Sequence, residues 1–461
     1  MLLDRRQSVV LESVRRFLRR SAFGHLMNLL AKTRPQDFAP IYAHLNEREQ
    51  VQLFRVLASR DEEIGAELLA ELPQGEGPSI LRRLGPAASA ALLNRCADDD
   101  AAALLAELEG EEADAILEAM KPEEKQAVEQ LLIYEEETAG RIMTPDVFSL
   151  HEDTTIGEAI AALQAEADVE MAFYLYVVDE REHLVGVLSL RELLLHPPET
   201  RLGELANTDL ITVQTGTDQE EVAKVAAKYD LLAIPVVDEQ GRLVGMVTID
   251  DVVDVLREEA TEDIFRMAGT SEEERIEPSI LKSVRKRSPW LLATFVGGNL
   301  ASVVIGAHQV TLDNVWGLAA FLPVVLGMGG AVGIQSATVT VRGLATGRIH
   351  EGEYLKSVLR ELGVAALLGL LYGTLVGLAS IALLTYFIGW DAFPGWTYPV
   401  VIGASLSCSM LVATTVAAFV PLALQRLGID PAVSTSPFVS TSSDVLGSLI
   451  YVLLASWLLM S

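Results

Sequence analysis

The last third of the chain carries five apolar stretches, at about 288–310, 315–341, 362–388, 399–424 and 437–459. Each reaches the roughly 20 residues a helix needs to cross a bilayer. Five in succession would leave a soluble fold almost no polar surface, so they predict membrane-spanning helices. The pattern upstream is different. From about 35 to 135, apolar residues recur at helical spacing in short segments such as 99–108 and 112–120. Each is closed by Pro, Gly or acidic residues, as in Lys121-Pro122-Glu123-Glu124. This predicts a stack of short helices, either a solenoid-like coil or an ordinary bundle. Residues 1–34 set Arg15, Arg16, Arg19 and Arg20 against Val14, Phe17 and Leu18. They predict a basic amphipathic helix at a surface, beside acidic lipid or acidic protein.

Between the helical region and the apolar stretches the chain repeats itself. Tyr176-Val177-Val178-Asp179 is followed by Leu184-Val185-Gly186-Val187-Leu188-Ser189, and Pro235-Val236-Val237-Asp238 by Leu243-Val244-Gly245-Met246-Val247-Thr248. Asp179 and Asp238, Gly186 and Gly245, and Ser189 and Thr248 are each 59 positions apart. Each copy predicts a strand, a tight turn, a second strand and a helix capped by Ser or Thr. Two such copies resemble a CBS domain pair.

Charge divides the chain in the same place. The whole has 35 basic and 64 acidic residues, a net of −29, while residues from Arg285 onward hold eight basic and seven acidic ones. An acidic part and a nearly neutral apolar part predict two solvents, water and lipid. The acidic part repels nucleic acid and gathers cations at its surface, although surface charge often serves solubility alone. Arg285, Lys286 and Arg287 precede the first span; Arg342, Arg348, Lys356 and Arg360 separate the second from the third; Arg426 separates the fourth from the fifth. The other two loops, at Asp313 and Asp391, have no Lys or Arg. The positive-inside rule then puts the N-terminal domains in the cytosol and the C-terminus outside. Trp290, Trp316, Trp390, Trp396 and Trp457 fall near span ends, where aromatic side chains anchor. Cys96 and Cys408 suggest neither a disulfide framework nor a zinc cluster. The N-terminus opens on Asp4, Arg5 and Arg6 without an apolar leader.

Three stretches carry candidate chemistry. Asp444 is the acid inside the fifth apolar stretch, behind the hydroxyl-rich run Ser434 to Ser443. An acid at that depth faces a bundle interior, a water cavity or an ion path. Magnesium keeps most of its waters and takes one or two carboxylates, so one Asp444 per chain, doubled by a two-fold axis, suits it. Helix packing by the hydroxyl run is the plainer alternative. In the second stretch Gly327-Met328-Gly329-Gly330-Ala331 allows close packing, or a local unwinding that bares carbonyls. The third is the acid-dense run Asp250, Asp251, Asp254, Glu258, Glu259, Glu262 and Asp263, where like charges on neighbouring turns repel unless a cation bridges them. A solvated acidic face is the alternative. No nucleophile–His–acid set, phosphate-binding loop or zinc-protease motif is present, so an enzyme is not expected. His151, His183, His196 and His350 read as surface residues, and His308 as interfacial.

The order of parts resembles the MgtE family of bacterial magnesium transporters. The resemblance rests on Glu137-Thr138-Ala139-Gly140-Arg141-Ile142-Met143-Thr144, Glu259-Ala260-Thr261-Glu262-Asp263-Ile264, Pro289-Trp290-Leu291, Gln335-Ser336-Ala337-Thr338, Arg342-Gly343-Leu344-Ala345, Asp430-Pro431-Ala432 and Pro437-Phe438-Val439 with Asp444. It implies a multidomain membrane protein: an all-α N domain at 35–137 after the basic segment 1–34, an α/β CBS pair at 138–257, a connecting "plug" helix at 258–287 and five transmembrane helices at 288–461. It implies a homodimer in the bacterial inner membrane, with a magnesium pore on the two-fold axis. By the same resemblance Asp444 is the pore acid, and Gly329, Gly330, Ala331, Pro437, Ser440 and Thr441 line the path. Asp251, Glu262 and Asp263, with Asp250, Glu258 and Glu259 beside them, bind regulatory Mg2+ that holds the pore shut. ATP at the CBS pair is a further implied ligand, with Thr248 and Asp251 as ribose contacts.

Three positions depart from the family pattern: Ala331 where an Asn is usual, Thr435-Ser436 where Ser-Gly is usual, and His308-Gln309 where an acid is usual. All touch the implied ion path, so they bear on selectivity and rate. Two other functions stay open: a carrier that couples a divalent ion to sodium or protons, and a non-transporting membrane sensor built on the CBS pair. A carrier needs a second ionisable group in the membrane, and from the sequence only Asp444 is seen there.

Overall fold

A computed structural model of the chain describes residues 3–73, 75–165, 173–271, 279–309, 316–388, 395–434 and 437–460. Asp313, Trp390, Asp391 and the Thr435-Ser436 departure lie outside the described residues. The chain forms two compact units, Met1–Arg257 and Glu258–Ser461.

The first unit opens with ten short helices: α1 Arg5–Arg19, α2 Phe23–Leu30, α3 Pro35–Tyr42, α4 Glu47–Arg60, α5 Glu62–Ala70, α6 Glu76–Leu84, α7 Pro86–Leu93, α8 Asp98–Ala106, α9 Gly110–Ala119 and α10 Pro122–Leu132. Local signals set many of the starts. Asp4 with Gln7 and Asn46 with Glu49 are capping boxes on α1 and α4; Pro begins α3, α7 and α10. The apolar face of α1 is spent inside the domain, because Leu11, Val14 and Leu18 join the common core with Leu26 and Leu30 of α2. The basic N-terminal segment is thus an integral wall of the helical domain, with Arg16, Arg19 and Arg20 facing out.

The repeat region folds as two matching α/β modules. The first has β1 Ser149–His151, α11 Ile156–Ala165, β2 Tyr174–Val178, β3 Leu184–Ser189, α12 Leu190–Leu195 and α13 Leu202–Leu205. The second has β4 Val213–Gln214, α14 Gln219–Tyr229, β5 Ala233–Val237, β6 Leu243–Thr248 and α15 Ile249–Met267, a helix whose last turns belong to the second unit. In both sheets the first pair is parallel and the second antiparallel, with a bulge at Val177/Val178 and at its counterpart Val236/Val237. Leu184 N donates to Gly241 O at 3.2 Å, and Leu243 N to Glu182 O at 3.0 Å. These are equivalent bonds read from either copy, so the repeats meet about a pseudo-two-fold axis. A Cβ on Gly186 would meet Ala206, and one on Gly245 would meet Met143, both closer than 3.0 Å. Glycine lets a covering segment lie directly on each β-strand.

The two modules bury their apolar faces differently. The first keeps its own core, around Leu175, Val177 and Leu188. Ile234, Val236, Val247 and Val252 of the second belong instead to the core of the helical domain, with Leu93, Leu105 and Leu131. The shared core fixes α8 beside the start of α15.

The second unit holds five helices long and apolar enough to cross a membrane: α16 Ile280–Ala307, α18 Leu322–Ala345, α19 Tyr354–Ile388, α20 Thr397–Arg426 and α21 Pro437–Met460, with a short α17 Trp316–Ala319 before the second. Two starts differ from expectation. The helix α16 runs across the predicted boundary at 287/288, with Lys282, Arg285, Lys286 and Arg287 in the same helix as the apolar residues. The helix α19 begins at Tyr354, eight residues before the apolar stretch, because the polar turn around Lys356, Arg360 and Glu361 is helical as well. Glycine allows close approaches: a Cβ on Gly297 of α16 would strike Thr441 of α21, and one on Gly333 of α18 would strike Val439.

Candidate cation sites

The start of α15 is built by the second repeat. Thr248 ends β6 and caps the helix: its hydroxyl donates to Asp251 Oδ2, and its N–H reaches the same oxygen at 3.4 Å. The first repeat has the equivalent box, Ser189 with Glu192, where the N–H and hydroxyl donate to Glu192 Oε2 at 2.8 and 2.9 Å. Thr248 and Asp251 are therefore engaged with each other. Any ribose contact there would compete with the cap.

The second box differs in what faces it. Asp98, Asp99 and Asp100 form the first turn of α8, where the helix dipole favours acids. Asp99 accepts the Asp100 N–H at 3.0 Å and the Thr144 hydroxyl at 3.0 Å. Thr144 is itself held on β6 by paired backbone bonds with Met246, at 2.8 and 3.0 Å. The helical domain thus presents its acidic turn to the acids of the second repeat. Burial, then the charge of Asp99, push the Asp251 carboxyl up to about 8, with Asp250 and Asp100 adding to the shift. Asp99 is raised as well, by burial first and by Asp250. Among the described residues none of Asp99, Asp250 and Asp251 forms an ion pair with a basic side chain. No three His, Cys, Asp or Glu side chains among the described residues converge tightly enough to make a ready cage for a metal ion. What the arrangement offers is a set of acids that resist ionising together at a packed junction, where a cation carrying its own waters can take the place of their protons.

The sequence reading includes Asp250 and Asp251 but misses Asp99 and Asp100. The available signal was the run of three acids opening α8, which on its own reads as a helix start. Its partner lies about 150 positions later, and only the shared core brings the two together.

In the second unit Glu262 pairs with Arg266, and Arg266 also binds Asp430 Oδ2 at 2.5 Å. Asp430 Oδ1 in turn accepts the Ala432 N–H at 2.7 Å. The end of α15 is thereby tied to the loop that leads into α21. Glu259 and Asp263 are half-buried on α15, and Glu258 is exposed.

Asp444 is half-exposed on α21, seven residues beyond the buried Pro437. Ser440 is half-buried, and Thr441 returns its hydroxyl to Pro437 O at 2.6 Å while packing on Gly297. On α18 the glycines separate by face. Gly330 has open space where a Cβ would be, and Ala331 is exposed. At Gly329 a Cβ would sit 2.6 Å from the Ser409 hydroxyl. Gly329 is a packing glycine, because the α18–α20 contact leaves no room for a side chain.

Comparison with known proteins bears on this arrangement. Residues 322–454 match the family profile of divalent cation transporters, residues 33–137 that of the MgtE intracellular N domain, and 139–199 and 202–258 that of the CBS domain. The chain is 42% identical over 331 residues to the magnesium transporter MgtE of Thermus thermophilus, covering 71% of each chain. It is 36% identical over 330 residues to that of Enterococcus faecalis, covering 70% of each. The first unit is similar to the solved cytosolic domain of the Mg2+ channel MgtE in complex with ATP: 36% identity, TM-score 0.50, covering 53% of this chain and 99% of that one. The soluble part of a magnesium transporter is a second such structure, at 31% identity and TM-score 0.50, covering 55% and 99%. With three family profiles in register and these identities, the chain belongs to the MgtE family.

Proposed function

We propose that this protein conducts Mg2+ across a bacterial inner membrane through a homodimeric pore, and that Mg2+ on the cytosolic side closes it. The observation that carries the gating half is the facing of Asp99 with Asp251 and Asp250 without an ion-pair partner among the described residues. Packing these acids together costs free energy that a bridging cation returns. Mg2+ suits the position because it is hard, small and keeps several waters, so it can bridge carboxylates too far apart to share a bare ion. An ion that binds only the compact arrangement stabilises it by mass action, and its loss frees the acids to separate. Glu262, Asp263, Glu258 and Glu259 on the latter half of α15 are further candidates to hold regulatory Mg2+. The Arg266–Asp430 pair offers a mechanical link from that helix to the loop before α21.

Asp444 carries the conduction half. It is a half-exposed acid on a span; in a dimer two copies would face a hydrated ion across the axis, with Gly330, Ala331 and Ser440 on nearby surfaces and the buried Pro437 opening the helix. The first unit lies in the cytosol, the C-terminus outside, and the five helices in lipid, as the basic residues between spans direct. ATP at the CBS pair follows from the likeness to the ATP-bound cytosolic domain and would modulate the same junction. Magnesium influx into proteoliposomes tests the whole. Asp444→Ala should abolish influx, and millimolar Mg2+ on the cytosolic side should suppress it in the unchanged protein. Influx that survives Asp444→Ala would remove Asp444 from the path and favour a different membrane route.

A further inference from the structure

A second carboxyl lies inside the membrane unit, where the apolar pattern alone showed only Asp444. Glu361, two turns into α19, is 9% exposed. Its one hydrogen bond among the described residues comes from the Ser336 hydroxyl of α18, at 2.8 Å. Among the described residues Glu361 forms no ion pair: Glu353 pairs with Lys356 at 3.2 Å, the Arg426 guanidinium of α20 stacks on Tyr354, 5.3 Å from the ring centre, and the neighbouring Arg360 is exposed. Arg342 of α18 stands six residues beyond Ser336, about 9 Å along the helix axis, and forms no ion pair with Glu361 among the described residues. A buried carboxyl without an ion-pair partner is a candidate to hold a cation.

Above it runs a polar seam. Along one face of α18, Gly329, Gly333 and Ser336 follow at steps of about 6 and 4.5 Å. Ser409 of α20 lies against Gly329, Ser443 of α21 against Gly333, and Glu361 against Ser336. The Ser409 and Ser443 hydroxyls are buried and make no hydrogen bond among the described residues, as do Ser405 and Thr414 on α20. Buried hydroxyls are normally satisfied, so these unpartnered hydroxyls mark a polar interior along the α18 face that ends at Ser336. Ser443 faces this seam, while the next residue, Asp444, is turned about 100° around the helix. The seam and the Asp444 face are therefore different surfaces of α21.

We propose that Glu361, with Ser336, forms a second cation site inside each chain, and that it takes a single positive charge, a proton or a sodium ion. One carboxylate, not doubled by any symmetry axis, balances one charge, and the Ser336 hydroxyl oxygen and water complete the shell. The site rests on the assignment of these helices to the membrane and is independent of Asp444. It supplies the second ionisable group that a coupled carrier needs and a simple pore does not.

The test uses the full-length protein purified in detergent. Infrared difference spectra between acid and alkaline buffer should contain a protonated-carboxyl stretch that Glu361→Gln removes and Asp444→Ala leaves. Ser336→Ala keeps the carboxyl but should move the band, because the oxygen loses its donor; this readout holds even where Glu361→Gln folds poorly. If the ligand is sodium, radioactive sodium binds the unchanged protein, removes the band, and binds at least about tenfold more weakly to Glu361→Gln. A band with no sodium binding assigns the proton. Spectra unaffected by Glu361→Gln, with no sodium binding that depends on Glu361, would overturn the site. So would a band lost in Asp444→Ala and kept in Glu361→Gln.

Discussion

The two CBS repeats of this chain are built alike and used differently. They share sheet order, bulge position, turn and helix cap, and the caps themselves match, Ser189 with Glu192 and Thr248 with Asp251. Glu192 closes its box beside a self-contained core. Asp251 closes the same box where a second domain delivers Asp99, and burial with that neighbour lifts it to about 8. A capping acid thus becomes a candidate sensor through what packs opposite it, since in both repeats that acid takes the hydroxyl and N–H of the residue ending the strand.

The largest expected effects break the cores on which this contrast depends. Ile234 and Leu175 are equivalent residues of β5 and β2, both fully buried. Replacing either with Ala should cost about 2–5 kcal/mol, read as a fall in thermal midpoint. Only Ile234→Ala should also weaken stabilisation by Mg2+, since only that core positions α8 against α15. Next comes the pair itself. Asp99→Asn and Asp251→Asn, alone and together, form a cycle whose coupling in Mg2+-free buffer should be about 0.5–3 kcal/mol, with each single substitution raising the melting temperature by relieving repulsion.

The third expectation is a pH slope. Asp251 ionises near 8 when folded and near ~3.9 when unfolded. Between those values the folded protein holds more protons than the unfolded chain. Without Mg2+, stability of the first unit should therefore fall as pH rises from about 4 to about 8 and level off above. Asp251→Asn should flatten that slope, and added Mg2+ should oppose it most at the alkaline end. The smallest effect sharpens the comparison from the other side: Ser189→Ala removes a cap of about 1 kcal/mol and should leave the Mg2+ response alone.

Much of this was legible in the chain. The 59-residue repeat carried both sheets, both turns and both caps, because those are local and periodic. Five apolar runs carried five helices. Asp251 was legible as an acid at a helix start. Its partner Asp99 was not, since no local pattern records that α8 and α15 share a core. Glu361 was missed for the opposite reason: an acid interrupts an apolar window, so the window started one residue after it, while the helix began at Tyr354. Gly329 and Gly330 are adjacent in sequence, yet one meets Ser409 and the other open space. Helix rotation, set by packing, decides that.

The central claim is that Asp251, and not its twin Glu192, senses Mg2+. The direct measurement is the cytosolic-side Mg2+ concentration that halves influx into proteoliposomes, for the unchanged protein, Asp251→Asn and Glu192→Gln. The account predicts a rise of about tenfold or more for Asp251→Asn and a change within about twofold for Glu192→Gln. Equal shifts in both variants, or none in Asp251→Asn, would contradict it.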